Sequence, residues 1–178
     1  MGRRTLLKSV AALAVGKLAF ESGAARAAGA AAAPTGDFAF LAGEWRIANR
    51  MMNQGAWIEF PGEATVHSVL AGNGSIEELR IPARNFSGLG IRLYDPERRA
   101  WKDHWVNGQQ RVVNEPMYGT FADGIGTFIA DDNDNNVAIK SRGIWDRITP
   151  TSCRWHQATS RDGGATWDMS WEMHWTRV

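Results

Sequence analysis

The chain is poor in cysteine, with Cys153 alone among 178 residues. A single thiol excludes an internal disulfide framework and a thiolate metal cluster. It leaves Cys153 as a small, apolar strand residue. Basic residues are in no excess. The formal net charge of +1 lacks the strongly basic footprint of a nucleic-acid partner. There are four histidines, none in an H-x-H or H-x-x-x-H spacing, so a zinc cluster has no sequence support. The apolar run from Val10 to Phe20 is interrupted by Lys17 and is too short to span a bilayer. No phosphate-binding glycine loop and no Ser-His-Asp elbow is present.

The N-terminal region has its own texture. Arg3-Arg4-Thr5-Leu6-Leu7-Lys8 resembles a twin-arginine export motif, with Leu6 where phenylalanine is more usual. The apolar run follows, then Ala25-Arg26-Ala27, which fits a small-residue cleavage site, with Ala28-Gly29-Ala30 as a second option. The competing reading is an amphipathic helix that stays attached. The expected organisation is a signal at 1–27, a small-residue linker at 28–36 and one domain at 37–178, within the usual size of a single domain. The expected location is periplasmic or secreted, with no membrane span once the signal is removed. Residues 1–27 hold five basic groups against Glu21, a net of +4, so the +1 of the whole chain leaves −3 for the remainder.

Beyond Asp37, apolar and aromatic residues alternate with polar ones, and turn clusters recur about every ten residues, the pattern of many antiparallel strands. Ten strands are expected near 43–52, 57–70, 74–82, 87–94, 100–107, 116–122, 125–131, 136–148, 152–160 and 166–177. Ala71-Gly72-Asn73-Gly74 and Ala122-Asp123-Gly124 signal tight hairpins, and Asp95-Pro96-Glu97 another turn. Residues 37–42 can form a short helical turn that plugs one end. The fold class is therefore all-β. An up-and-down barrel, whose closure removes the exposed edges, is expected over a two-sheet sandwich.

Alternation sorts the faces. The last strand places Trp167, Met169, Trp171, Met173, Trp175 and Arg177 on one side, and Asp168, Ser170, Glu172, His174 and Thr176 on the other. Burying large groups is worth roughly 1.5–3 kcal/mol each, so the Trp/Met face is expected to point inward. By the same rule Trp45 and Asn49, Trp101, Asp103 and Trp105, and Trp155 and Gln157 point inward, while His104, His156 and His174 point outward. Leu89, Ile91 and Leu93 oppose Arg92 and Tyr94. Glu77 and Glu78, being adjacent, face opposite ways and cannot form a close pair. Tryptophan and methionine with a few polar groups suit a small-molecule cavity, although the nine tryptophans of the chain can also simply fill a barrel of this size.

Gly43-x-Trp45 on a first strand, after a short turn, resembles the start of lipocalin-like (calycin) barrels. That resemblance implies a tryptophan closing one end of the barrel and an arginine from a late strand packed across it. Arg177 ends the last strand on the Trp face, and a guanidinium over an indole is a favourable pair. More widely, FAFLAGEWRI, GIRLYDPERRAWKDHW, GTFADGIGTF, ITPTSCRWHQATSRDGGATW and WEMHWTR resemble a family of bacterial lipocalin-like domains, which implies the fold but no particular activity.

Two further motifs read as turns. Ser160-Arg161-Asp162-Gly163-Gly164-Ala165-Thr166-Trp167 matches an Asp-box, in which Asp caps the loop and Trp anchors it. It occurs once rather than once per propeller blade, so it is read as structural. Asp131 to Asn136 looks like the start of a calcium loop. Counted from Asp132, Val137 and Gly143 stand where an EF-hand needs glycine and glutamate, so the stretch reads as a polar hairpin loop.

The resulting expectation is an exported binding or carrier protein for a small apolar or aromatic molecule, with no cofactor. Trp101, Trp105, Trp155, Trp171 and Met173 are expected to line the site, and Asp103 and Gln157 to orient the ligand. One alternative is a cofactor-independent isomerase, hydratase or lyase on an apolar substrate, with Asp103 as acid/base, because a carboxyl among tryptophans is desolvated and its pKa raised. The other is a haem barrel. Its basis is the position of His174 near the C-terminus, as in nitrobindin-like relatives; its obstacle is the outward face. The sequence carries no reading of oligomeric state.

Overall fold

The computed structural model describes residues 36–178. The signal at 1–27 and nearly all of the linker at 28–36 lie outside the described residues. Ten antiparallel strands follow one another: β1 (Gly43–Asn53), β2 (Ala56–Val69), β3 (Gly74–Ile81), β4 (Phe86–Asp95), β5 (Ala100–Asn107), β6 (Met117–Ala122), β7 (Ile125–Asp134), β8 (Val137–Asp146), β9 (Ser152–Ser160) and β10 (Asp168–Arg177). Each pairs with its sequence neighbours, and β1 pairs with β10 to close the barrel. The closed up-and-down architecture removes the sandwich alternative and leaves no free sheet edge.

Most strand limits fall within a residue or two of the alternation pattern. The largest departure is the acidic hairpin. The expected loop at 131–136 is strand as far as Asp134, and only Asn135 and Asn136 turn, with φ of 52° and 67°. Both central residues of such a two-residue hairpin need positive φ, and asparagine tolerates it.

One end of the barrel is shut by residues 38–45. A 3-10 turn over Ala39–Leu41 leads into β1, and Phe38 packs edge-on against Trp101 and Phe121, each with ring centroids 5.0 Å away. Trp45 is fully buried and its Nε1 donates to Leu41 O at 2.7 Å. Trp45 is directly opposite Arg177 in the β1–β10 register, and the guanidinium lies 4.2 Å over the indole. The same guanidinium donates to Ala42 O and Phe40 O, both at 2.6 Å. Gly43 has φ of +129°, and a Cβ there would meet Arg177 Nη1 at 2.5 Å. Only glycine accepts both that backbone and that neighbour. The Gly43-x-Trp45 pattern is thus the seat of an arginine clasp between the first and last strands.

The Trp/Met stripe of β10 points inward only from Trp171 onward. The register shifts between Met169 and Trp171. This bulge sets Met169 opposite Ala158 and leaves it 40% exposed, against the expectation for that residue. A bulge adds one residue to one strand, so every side chain before it changes face. Trp167 precedes β10 and belongs to the Asp-box turn. Its Nε1 donates to Gly164 O at 3.0 Å, and Arg142 lies 4.1 Å over its ring. Asp162 holds that turn by accepting from Thr166 Oγ1 (2.6 Å) and Thr166 N (2.9 Å) and from Ser160 Oγ (2.7 Å). The Thr166 hydroxyl and amide and the Ser160 hydroxyl keep its carboxyl well below the usual carboxylate range. The motif works as a turn clamp.

Candidate functional site

At the end opposite the plug the barrel opens into a cavity of about 800 Å³. Ligand pockets typically run about 300–1,000 Å³, so the barrel is not packed solid. Its wall is largely indole. Trp155 and Trp171 stand at 89° with centroids 5.7 Å apart, and Trp145 and Trp175 lie beneath them at 5.4 Å from each other. Room for the rings comes from small residues opposite them. Gly143, for example, faces the Trp155 indole, and a Cβ there would meet its Nε1 at 3.3 Å.

The floor carries charge. Arg92 is 4% exposed and points inward from β4. Its Nη2 donates to Glu77 Oε2 at 2.7 Å, and its Nε lies 3.3 Å from Asp103 Oδ1, an ion-pair contact without hydrogen-bond alignment. The guanidinium sits between Phe38 (5.1 Å) and Trp145 (5.3 Å). The strand register enforces the contact with Asp103, because Arg92 is paired directly with it across β4 and β5. Burial pushes the carboxyls of both Glu77 and Asp103 up, and the Arg92 charge only partly opposes it. The Asp103 side chain keeps 16% of its surface, against 4% for Glu77, so Asp103 is the more accessible of the two carboxyls.

Of the sequence-selected residues, Asp103, Trp105, Trp155, Gln157, Trp171 and Met173 all line this cavity. Trp101 does not. It points inward as expected, but its Nε1 donates to Asp37 Oδ2 at 3.0 Å and its ring packs against Phe38 and Tyr94 in the plug. Being one turn of the pleat closer to the shut end makes it core. Asn49 is buried and accepts from Trp171 Nε1 at 3.1 Å, bracing a wall residue.

The histidines lie on the outer face, away from the cavity. His174 is half exposed, with Nε2 3.2 Å from Glu172 Oε1. A haem inside the barrel would therefore lack the axial ligand assigned to His174. His104 Nδ1 lies 3.1 Å from Asn114 O, and His156 Nε2 lies 3.7 Å from Asp146 Oδ2.

Sequence reasoning missed Arg92, Glu77 and Trp145 at the site. On β4 hydrophobicity favours Leu89, Ile91 and Leu93 for the interior, yet the barrel buries Arg92 and turns Leu89 outward at 38% exposure. The overlooked signal was the glycine pair on the Arg92 face, Gly88 and Gly90. A Cβ at Gly90 would meet Arg92 Nη2 at 2.9 Å. Glu77 and Glu78 do face opposite ways, with Glu77 in the cavity and the Glu78 side chain 54% exposed.

Among solved structures the barrel is similar to the S-type phycobiliprotein lyase CPES from Guillardia theta. The TM-score is 0.49 at 14% sequence identity, covering 79% of this chain and 90% of that one. No protein-family model matches the chain, and no curated protein matches it significantly.

Proposed function

We propose that this barrel binds a small apolar or aromatic molecule in its tryptophan-walled cavity. The observation that carries the reading is the cavity itself. About 800 Å³ is bordered by Trp105, Trp145, Trp155, Trp171 and Trp175, with Gln157 and Asp103 as polar groups that can orient a guest. Aromatic walls supply contact area, and sparse polar groups supply direction. Titration with an apolar naphthalene probe, read by tryptophan fluorescence, tests it. Saturable quenching or a spectral shift is expected, because five indoles border the site. A flat response together with no heat of binding by calorimetry would sink the reading.

A second reading is supported by one feature, a partly accessible carboxyl, pushed up by burial, in the tryptophan-walled cavity. Asp103 can exchange a proton with a bound apolar substrate, which suits a cofactor-independent isomerase, hydratase or lyase. Asp103→Asn separates the two. Under the catalytic reading turnover of any substrate found by screening is abolished; under the carrier reading binding of a neutral guest survives with no turnover in either form.

Export by the twin-arginine route is part of the same proposal, supported by the order of Arg3-Arg4, the apolar run and Ala25-Arg26-Ala27. Replacing Arg3 and Arg4 by lysine should retain the full-length precursor inside the cell. Unchanged processing and location would refute it.

A further inference from the structure

We infer that the guest of this cavity is a lipophilic cation: an aromatic or apolar molecule carrying an amine or quaternary ammonium group. The inference rests on the small-molecule reading above and adds the charge of the ligand.

The lining is one-sided in charge. Glu77, Asp103, Glu115, Asp131 and Asp132 border the cavity, against Arg92 as its one cationic side chain. Arg92 is already engaged by Glu77 at 2.7 Å and Asp103 at 3.3 Å. Its Nε and Nη1, like the Nε1 atoms of Trp145 and Trp175, each have less than 1 Å² of accessible surface. An entering anion therefore finds these donors covered. At the rim, Lys140 Nζ offsets Asp131 at 2.5 Å, and Asp132 accepts from two neutral donors, the Asn133 backbone N–H at 2.7 Å and Ser141 Oγ at 2.9 Å. With all groups ionised, five carboxylates set against Arg92 and Lys140 leave an excess of three negative charges.

The wall adds an independent preference. The negative faces of indole rings attract a cation, most strongly where water is excluded. Trp155 and Trp171, at right angles to each other, form a corner of the wall. Trp105 and Asp103 project from the same face of β5, so ring and carboxylate are adjacent in the lining. A neutral guest gains only area from this surface, an anion is repelled by it, and a cation meets both the rings and the excess carboxylates.

The test compares three probes that share one naphthalene ring: 1-naphthylmethyl-trimethylammonium, its neutral isostere 1-neopentylnaphthalene, and 1-naphthylacetate. Each is titrated against the full chain by fluorescence and calorimetry. The ammonium is expected to bind at least about tenfold more tightly than the neutral isostere, with the acetate weakest and the preference reduced at high salt. Asp103→Asn should shrink the ammonium-to-neutral ratio, and Glu115→Gln at the rim should shrink it less. The wild-type ratio alone decides the matter if Asp103→Asn does not fold. Equal binding of ammonium and isostere, or tightest binding of the acetate, overturns the cation inference and leaves the cavity reading intact. No binding of any probe overturns both.

Discussion

Replacing Arg92 by methionine should destabilise the barrel far more at alkaline than at acidic pH. The guanidinium is the one positive charge at the cavity floor, with Glu77 and Asp103 on either side. Methionine has comparable reach and suits the pocket between Phe38 and Trp145. What is lost is the charge that compensates two buried carboxylates. Breaking one partner out of a buried ionic cluster costs about 3–5 kcal/mol. The Asp103 side chain keeps 16% of its surface, so the lower half of that range is expected. The carboxyls can escape the penalty by taking up protons. From its ordinary value of 4.5, holding Glu77 protonated costs about 5 kcal/mol at pH 8 and under about 1 kcal/mol at pH 5. The sign follows. Both folded-state pKa values lie above the unfolded ones, so the folded chain holds more protons, and stability falls as pH rises through that interval. Urea unfolding at pH 8 and pH 5 reads this directly. The expected loss is about 3 kcal/mol at pH 8 and about 1 kcal/mol at pH 5, with Glu77→Gln restoring part of it in the double variant. An equal loss at both pH values, or no rescue by Glu77→Gln, would refute the account of the floor as a charge-coupled triad.

Trp45→Ala should cost about 3–5 kcal/mol of stability by thermal or urea unfolding, because Trp45 is fully buried in the plug under Arg177. Its effect on guest affinity should be small, and a loss of affinity without loss of stability would contradict its place in the closing clasp. Asp95 is held at about 2, first by Lys102 and then by the backbone N–H of Arg98. Its contribution to stability should be present above its ordinary 3.8 and lost as pH falls through about 2; Asp95→Asn should flatten that part of the acid-unfolding curve. Burial pushes the Cys153 thiol up to about 12. A thiol reagent at pH 8 should therefore label the native chain no faster than it unfolds, and rapid labelling without unfolding would place Cys153 outside the core.

The inside and outside of most strands were legible because alternation is local: each residue faces opposite to its neighbours in the chain. That was enough for Asp103, Trp105, Trp155, Gln157, Trp171 and Met173. It failed where the period broke or the wrong side chains were weighed. The bulge before Trp171 reversed Met169, and no residue type announces a bulge. On β4 Leu89, Ile91 and Leu93 lie on the outer face, while inside Gly90 clears space for Arg92 opposite Asp103 and Gly88 clears space for the Trp105 ring. Trp101 faced inward as expected, yet alternation does not tell depth along the barrel axis, and depth separates a plug residue from a cavity wall.

The sequence by itself determined the all-β class, the number of strands and the turn character of the Asp-box, each of which rests on short-range spacing. The closing role of Gly43-x-Trp45 with Arg177 was implied by the resemblance of that motif to lipocalin-like barrels. Only the tertiary structure decided that the interior is open rather than filled, and that Glu77, Arg92 and Asp103 share one floor. The physical reason is that a cavity is a residue of three-dimensional packing: its volume depends on where rings from β5, β8, β9 and β10 stop short of one another. The charge triad likewise joins three strands whose register is set by pairing, not by any pattern within one of them.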